Sequence, residues 1–168
     1  MAQGPGIAFK VAVDDKAVRR ALRTLLLKLG SLEEPFAEAG EALLASTQER
    51  FHREVAPDGE PWRALTRRYV ERPKRKGGRG GAAHPILFRT GRLFASLTYR
   101  TSATALEVGT NRKFPGAEYS ALAIHQFGGT PDMAPGPAAI PARPVLGLSA
   151  EDEDALGRIL TRYLTEAI

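Results

Sequence analysis

The chain has 168 residues, a formal net charge of +5 and no cysteine. Its length favours one domain with a hydrophobic core, and we expect that domain to cover residues 1–168. The absence of cysteine excludes disulfides, cysteine-based zinc sites and thiol nucleophiles, and it fits a protein made in a reducing cytosol. No apolar run reaches the roughly 18 to 20 residues that cross a bilayer, so we expect no membrane contact. The N-terminal residues lack a basic region followed by an apolar stretch and a small-residue cleavage site, so we expect no signal peptide.

The first third of the chain predicts a strand and two helices. Residues 7–13 alternate between apolar and smaller or charged side chains, as in a strand with one buried face. Asp14 and Asp15 supply N-cap chemistry for a first helix, which Gly30 ends. A second amphipathic helix follows from Pro35 to about residue 53. Its apolar face is predicted from helical spacing: Phe36, Ala39, Leu43, Thr47 and Phe51.

The positive charge is concentrated in one loop. Residues 63–79 contain eight lysines or arginines and one acid, which leaves a net charge of −2 for the remainder of the chain. Residues 72–81 contain only Arg, Lys, Pro and Gly, so ordering them would bury no apolar side chain, and we predict a mobile basic loop over about 63–85. Five cations are candidate contacts for DNA or an acidic partner: Arg72, Lys74, Arg75, Lys76 and Arg79. The alternative is a solvated loop with no role.

The second half predicts a hairpin, a short helix, a long loop and a final helix. Strand-like segments cover residues 97–103 and 105–110, and a short helix covers residues 119–127. Residues 128–144 are rich in Gly and Pro and form a shaped loop, with Ile124 and Phe127 as apolar anchors before it. Ser149 and Asp152 have capping-box spacing at the start of the last helix. The order predicts an α+β domain in which a small antiparallel sheet packs with two N-terminal helices and a C-terminal helix.

Catalytic and metal-binding patterns are missing. The histidines His52, His84 and His125 do not lie at metal-ligand spacing, and no G-x-S-x-G nucleophile motif occurs. Paired acids at helix starts complement the helix dipole. We therefore predict no enzyme activity, no catalytic residue, no metal and no cofactor, with a hydrolase as a weak alternative.

Five segments in order resemble the phage virion morphogenesis family: PDGEPWRAL, RTGRLFASL, EVGTN, EYSALAIHQFGG and IPARPVLGLS. Together they reach from about residue 58 to residue 149. Members of this family include tail-completion proteins of tailed phages, among them Mu-like phages. The resemblance implies a structural virion protein at the head–tail junction, with a tail-completion, neck or tail-terminator role. It also implies a homo-oligomeric ring, with a hexamer favoured, and neighbouring neck, connector or tail-tube proteins as partners.

The resemblance marks nine positions as candidate assembly contacts: Thr90, Gly91, Leu93, His125, Gly128, Pro141, Arg143, Pro144 and Leu146. Arg143 has two interpretations. Its guanidinium, held between two prolines, could point at a partner, or it could pair with Glu151 or Asp152 of its own chain. The alternative function for the whole chain is a nucleic-acid-binding module that uses residues 72–79.

Overall fold

A computed structural model describes residues 30–71, 84–112, 120–129 and 140–166, together with the helical positions 20, 23, 24 and 27. The strand predicted at residues 7–13 lies outside these residues, as do the tip of the Gly/Pro loop and the five cations of the basic loop. The described helices are α1 (Glu33–Arg53), α2 (Arg67–Val70), α3 (Ala121–Phe127) and α4 (Ala150–Glu166), and the strands are β1 (Thr98–Ser102) and β2 (Ala105–Gly109).

α1 is the scaffold on which the hairpin and α4 pack. The side chains predicted for its apolar face are all buried. The helix ends because Glu54 adopts the left-handed conformation, with φ 57°, and its amide donates to the Arg50 carbonyl. No helix in the described part of the chain combines the length and the apolar character of a membrane span.

The hairpin prediction is confirmed, and with it the small α+β fold. β1 and β2 pair antiparallel, from Thr98 opposite Gly109 to Ser102 opposite Ala105. The Tyr99 ring lies directly on the backbone of α1, where a Cβ added to Gly40 would be 2.4 Å from Tyr99 Cδ2. Only glycine permits this close approach between helix and strand.

α4 runs antiparallel to α1. Its start is joined to the end of α1 by an ion pair between Arg50 and Asp152, and its second half is joined to the start of α1 by one between Arg162 and Glu38. Near the Arg162–Glu38 pair, a small apolar cluster packs the start of α1 against the second half of α4 and the hairpin. It contains Leu32, Phe36, Leu106, Leu160 and Leu164. The predicted C-terminal helix is therefore present, with its apolar stripe turned towards α1 and the hairpin.

The main core draws most of its side chains from loops. Its buried members are Phe51, Ala56, Trp62, Ile86, Leu93, Leu97, Leu122 and Val145. Phe51 and Trp62 meet edge to face, with ring centroids 5.3 Å apart. Ile124 is buried at 1% exposure, as predicted for an anchor, whereas Phe127 is 62% exposed and the prediction of a buried anchor there is wrong. Phe127 is the last residue of α3, and its side chain lies at the surface there.

Candidate assembly site

Residues 140–149 form an extended segment between the Gly/Pro loop and α4, here called the strap. None of its residues is assigned to a helix or a strand. It carries four of the predicted assembly positions: Pro141, Arg143, Pro144 and Leu146. Backbone polar groups near a core need hydrogen-bond partners, and the described part of the chain gives the strap no neighbouring strand to supply them. Other parts of the chain must therefore provide these partners. They come mostly from side chains of three neighbouring regions, and partly from the backbone around the C-terminus of α3.

Gln126 on α3 satisfies the middle of the strap. Its Oε1 accepts from the amides of Val145, at 2.8 Å, and Leu146, at 2.9 Å, and its Nε2 donates to the Leu146 carbonyl at 2.8 Å. One amide side chain thus replaces the neighbouring strand that would otherwise pair with this backbone. Gln126 was not among the predicted positions, although it stands beside His125 in the segment that carried the resemblance.

The two ends of the Gly/Pro loop lie side by side at the C-terminus of α3. The Arg143 amide donates to the His125 carbonyl, and the Gly129 amide donates to the Ile140 carbonyl at 2.8 Å. Gly128 has φ 84°, and a Cβ there would lie 3.2 Å from the backbone nitrogen of Ala142. The predicted position Gly128 is therefore explained by backbone conformation and by close approach of the strap.

The Arg143 side chain fastens the strap to the segment after Trp62. It is only 5% exposed, and it donates from Nε to the Arg63 carbonyl at 2.7 Å and from Nη2 to the Ala64 carbonyl at 3.3 Å. Burial, followed by the charge of Arg63, holds the pKa of Arg143 below its ordinary value. The guanidinium thus binds carbonyl oxygens of its own chain.

Two further donors reach carbonyls of the strap. Trp62 Nε1 donates to the Pro144 carbonyl at 2.7 Å, and Arg50 Nη2 donates to the Gly147 carbonyl at 3.2 Å. Gly147 also packs so closely on Pro57 that a Cβ would lie 2.8 Å from Pro57 Cγ. The strap is therefore tied to α1, to the loop after α1 and to α3.

A buried ion pair closes the C-terminal end of the strap. Arg50 Nη1 lies 2.7 Å from Asp152 Oδ2, and both side chains are almost fully buried. The alternative in which Asp152 pairs with Arg143 is therefore wrong, since Asp152 pairs with Arg50. The predicted capping box is confirmed: the Ser149 amide donates to Asp152 Oδ2 and the Asp152 amide donates to Ser149 Oγ. Burial alone would raise the pKa of Asp152, but these hydrogen bonds and Arg50 hold it below its ordinary value.

His125 also lies at this site, and its pKa is far below the ordinary value. Burial, and then the charge of Arg143, lower the pKa of His125 to about 4. Its Nδ1 is buried and has no hydrogen-bond partner in the described part of the chain. The imidazole is therefore neutral at pH 7, and protonating it would place a second cation beside Arg143.

The remaining predicted positions lie on a separate turn. Thr90 is exposed, Gly91 has φ 65°, and Leu93 is buried in the same core cluster as Val145 of the strap. The structure thus brings six predicted positions together: His125, Gly128, Pro141, Arg143, Pro144 and Leu146. The turn that contains Thr90, Gly91 and Leu93, here called the Thr90 turn, is connected to them through the core, where Leu93 and Val145 belong to one cluster. Within the described ranges, no group of three or more His, Asp or Glu side chains could hold a metal ion.

The described residues form a small α+β domain in which side chains fix an irregular strap. The model of the phage virion morphogenesis family matches residues 13–165. The chain is also 33% identical over 159 residues to the putative capsid assembly protein G of Escherichia phage Mu, which covers 94% of this chain and 95% of that protein. No solved structure matches the chain. The chain belongs to the phage virion morphogenesis family, and it has a structural or assembly role in a phage.

Proposed function

We propose that this protein completes the tail at the head–tail junction of a tailed phage, as a neck or tail-terminator component that forms a homo-oligomeric ring. It acts by docking to neighbouring virion proteins and not by catalysis. A hexamer is the favoured ring, and the subunits assemble in the host cytoplasm before they join the virion.

The observation that carries this proposal is the fixed strap. The side chains of Gln126, Trp62 and Arg50 hold five of its backbone groups, and the Arg143 side chain fastens the strap to the Arg63 and Ala64 carbonyls. Backbone hydrogen bonds to the His125 and Ile140 carbonyls hold the two ends of the Gly/Pro loop together. A surface whose backbone is already ordered loses less entropy when it docks, which favours a role in permanent assembly.

The partners follow from the family and from symmetry. A subunit of a closed ring needs two different surfaces that meet head to tail, in addition to the surfaces that face the components above and below. The Mu relative carries the name of a capsid assembly protein, and this supports action where the capsid meets the neck, connector or tail tube. The assembly positions on the strap and on the Thr90 turn are the proposed contacts.

The basic segment supports a second contact. Residues 72–79, which lie outside the described residues, hold the five cations predicted to meet packaged DNA or an acidic neighbour. If the chain were a nucleic-acid-binding module instead, duplex DNA would bind it with a steep dependence on salt, because each neutralised phosphate releases counterions.

Light scattering of the purified chain, at low and at high salt, tests the proposal. Discrete rings of several subunits support it and give the symmetry directly. A monomer at every concentration that binds duplex DNA would instead favour the nucleic-acid module. A monomer that neither binds DNA nor joins a neck or tail protein of its own phage would contradict both.

A further inference from the structure

The solvent-facing side of α1 carries a row of glutamates. Glu34, Glu38 and Glu41 are spaced four and three residues apart, so they lie on one face of the helix within two turns. All three are exposed. We call these three residues the acidic face.

The acidic face is only partly compensated within its own chain. Arg162 pairs with Glu38, and the Tyr99 hydroxyl donates to Glu41 Oε1 at 3.3 Å. Glu34 has no ion pair among the described residues. Like charges at this spacing repel one another, and only the first turn of the helix gains from the helix dipole. An external cation would relieve that repulsion.

The opposite charge is presented by the turn that links Phe88 to Arg92, here called the arginine turn. Arg89 and Arg92 are both exposed, and neither has an ion pair in the described part of the chain. The turn is held firmly, because the Phe88 ring packs against Phe94, with centroids 5.1 Å apart, and Leu93 is buried in the core. Arginine and aromatic side chains are also the residues that are enriched at protein interfaces.

The two surfaces cannot satisfy each other within one copy. The Phe88 ring lies 6.2 Å from the His52 ring, so the arginine turn adjoins the C-terminal end of α1. Along the helix, Glu34 is about 27 Å and Glu41 about 16 Å from His52. An arginine side chain is too short to reach across either distance from this turn.

We propose that the arginine turn of one copy docks on the acidic face of the next copy, and that this contact closes the ring. The inference rests on the proposed function, since it names the two surfaces of its head-to-tail interface. Glu34 and Glu41 are about 10 Å apart along the helix, a separation that two long, flexible arginine side chains on one turn can span. Guanidinium groups suit carboxylates because they can donate two parallel hydrogen bonds. Different surfaces on each side of the contact are what a cyclic assembly requires.

Charge-reversed variants of the full chain test this contact. The turn variant carries R89E and R92E, and the face variant carries E34R and E41R. A matched control carries R100E and R158E, which reverse two exposed arginines on β1 and α4, outside both surfaces. Thermal unfolding of each variant verifies folding, and sedimentation velocity measures association alone and in equimolar mixtures.

The turn variant and the face variant should each lose at least about tenfold in association, because like charges then meet at every contact. Their equimolar mixture should recover to within about threefold of the wild type, since copies that alternate around the ring oppose unlike charges at each interface. The control should associate like the wild type.

Three results would overturn the inference. The first is that the folded variants associate like the wild type, and the second is that the control loses as much association as the turn variant. The third is that the equimolar mixture fails to recover association. Each would contradict this contact while leaving the proposed ring intact. A wild-type chain that stays monomeric at every concentration would instead contradict the ring of the proposed function as well.

Discussion

The hairpin and the strap lie on the same core but are stabilised in different ways. The hairpin is held by a backbone ladder of five residue pairs and by the contact of Tyr99 with Gly40. The strap has no ladder, and most of its hydrogen bonds among the described residues depend on single side chains, such as those of Gln126 and Trp62. Stability that is spread over many equivalent bonds tolerates single changes, whereas stability that depends on single side chains does not. The strap should therefore be the more sensitive of the two regions to polar substitutions.

The largest effect is expected from Arg50→Met. This change leaves the Asp152 carboxylate buried without its cation and removes the donor to the Gly147 carbonyl. We expect a loss of about 3–5 kcal/mol in the free energy of unfolding, measured by urea titration. Arg162→Met is the matched control, because it removes an exposed ion pair with Glu38 and should cost less than about 1 kcal/mol. Equal losses in the two variants would contradict the assignment of Arg50 as the tie between α1 and the strap.

Acid should weaken the fold through His125. The folded-state pKa of about 4 lies below the unfolded value of 6.5, so the unfolded chain binds the proton more tightly. The stability contributed by the neutral imidazole is complete above pH 6.5 and is lost as the pH falls towards 4, by about 3 kcal/mol in total. Urea titrations at a series of pH values measure this loss.

His125→Leu provides the control for the acid effect, since it should flatten the slope between pH 6.5 and 4.5. The pKa of Asp152 lies below its ordinary value, so its own loss of stability falls at lower pH and does not obscure this window. A variant whose slope equals that of the wild type would show that His125 does not carry the effect.

Gln126→Leu tests the strap at its centre. The substitution leaves the amides of Val145 and Leu146 without an acceptor and the Leu146 carbonyl without its donor. Because the groups are largely buried, we expect a loss of about 2 kcal/mol in the free energy of unfolding. Gln126→Glu keeps the acceptor for both amides and should lose less. Equal losses of stability in Gln126→Glu and Gln126→Leu would show that the stabilisation does not come from the oxygen that accepts from the two amides.

The smallest changes in stability are expected from substitutions of two helix glycines, Gly40 on α1 beneath the hairpin and Gly157 on α4. Gly40→Ala forces a Cβ into the Tyr99 ring and should cost about 1–3 kcal/mol. Gly157→Ala on α4 places a Cβ in open space and should stabilise the fold by about 0.5–1 kcal/mol, because alanine favours the helix. Thermal unfolding distinguishes the two, and stabilisation by both substitutions would contradict the close packing of Tyr99 on α1.

The regular elements could be predicted because their signals are local. The apolar spacing from Phe36 to Phe51 reports the buried face of α1, and the spacing of Ser149 and Asp152 reports the start of α4. Alternation in residues 105–109 likewise gave the second strand of the hairpin. Each pattern repeats with the period of the backbone, so the sequence alone carries it.

The candidate site was only partly predictable because its contacts join distant residues. The acceptors of Arg143 lie about eighty positions earlier in the chain, at Arg63 and Ala64, and no periodicity links them. Gln126 gives no sequence signal of its own, since a single glutamine on a short helix is usually exposed. The family resemblance marked His125, Gly128 and the strap residues, and the structure adds the physical reason why several of them are restricted.

Hydrogen exchange at the strap amides shows whether this irregular segment is a fixed part of the fold because specific side chains hold it. In the wild type, the amides of Arg143, Val145 and Leu146 should be protected to a degree comparable with the paired amides of the hairpin. In Gln126→Leu, protection of Val145 and Leu146 should fall by more than that of the paired hairpin amides, which lose only what the lower global stability removes. Strap amides that exchange in the wild type as fast as those of an exposed loop would contradict the account.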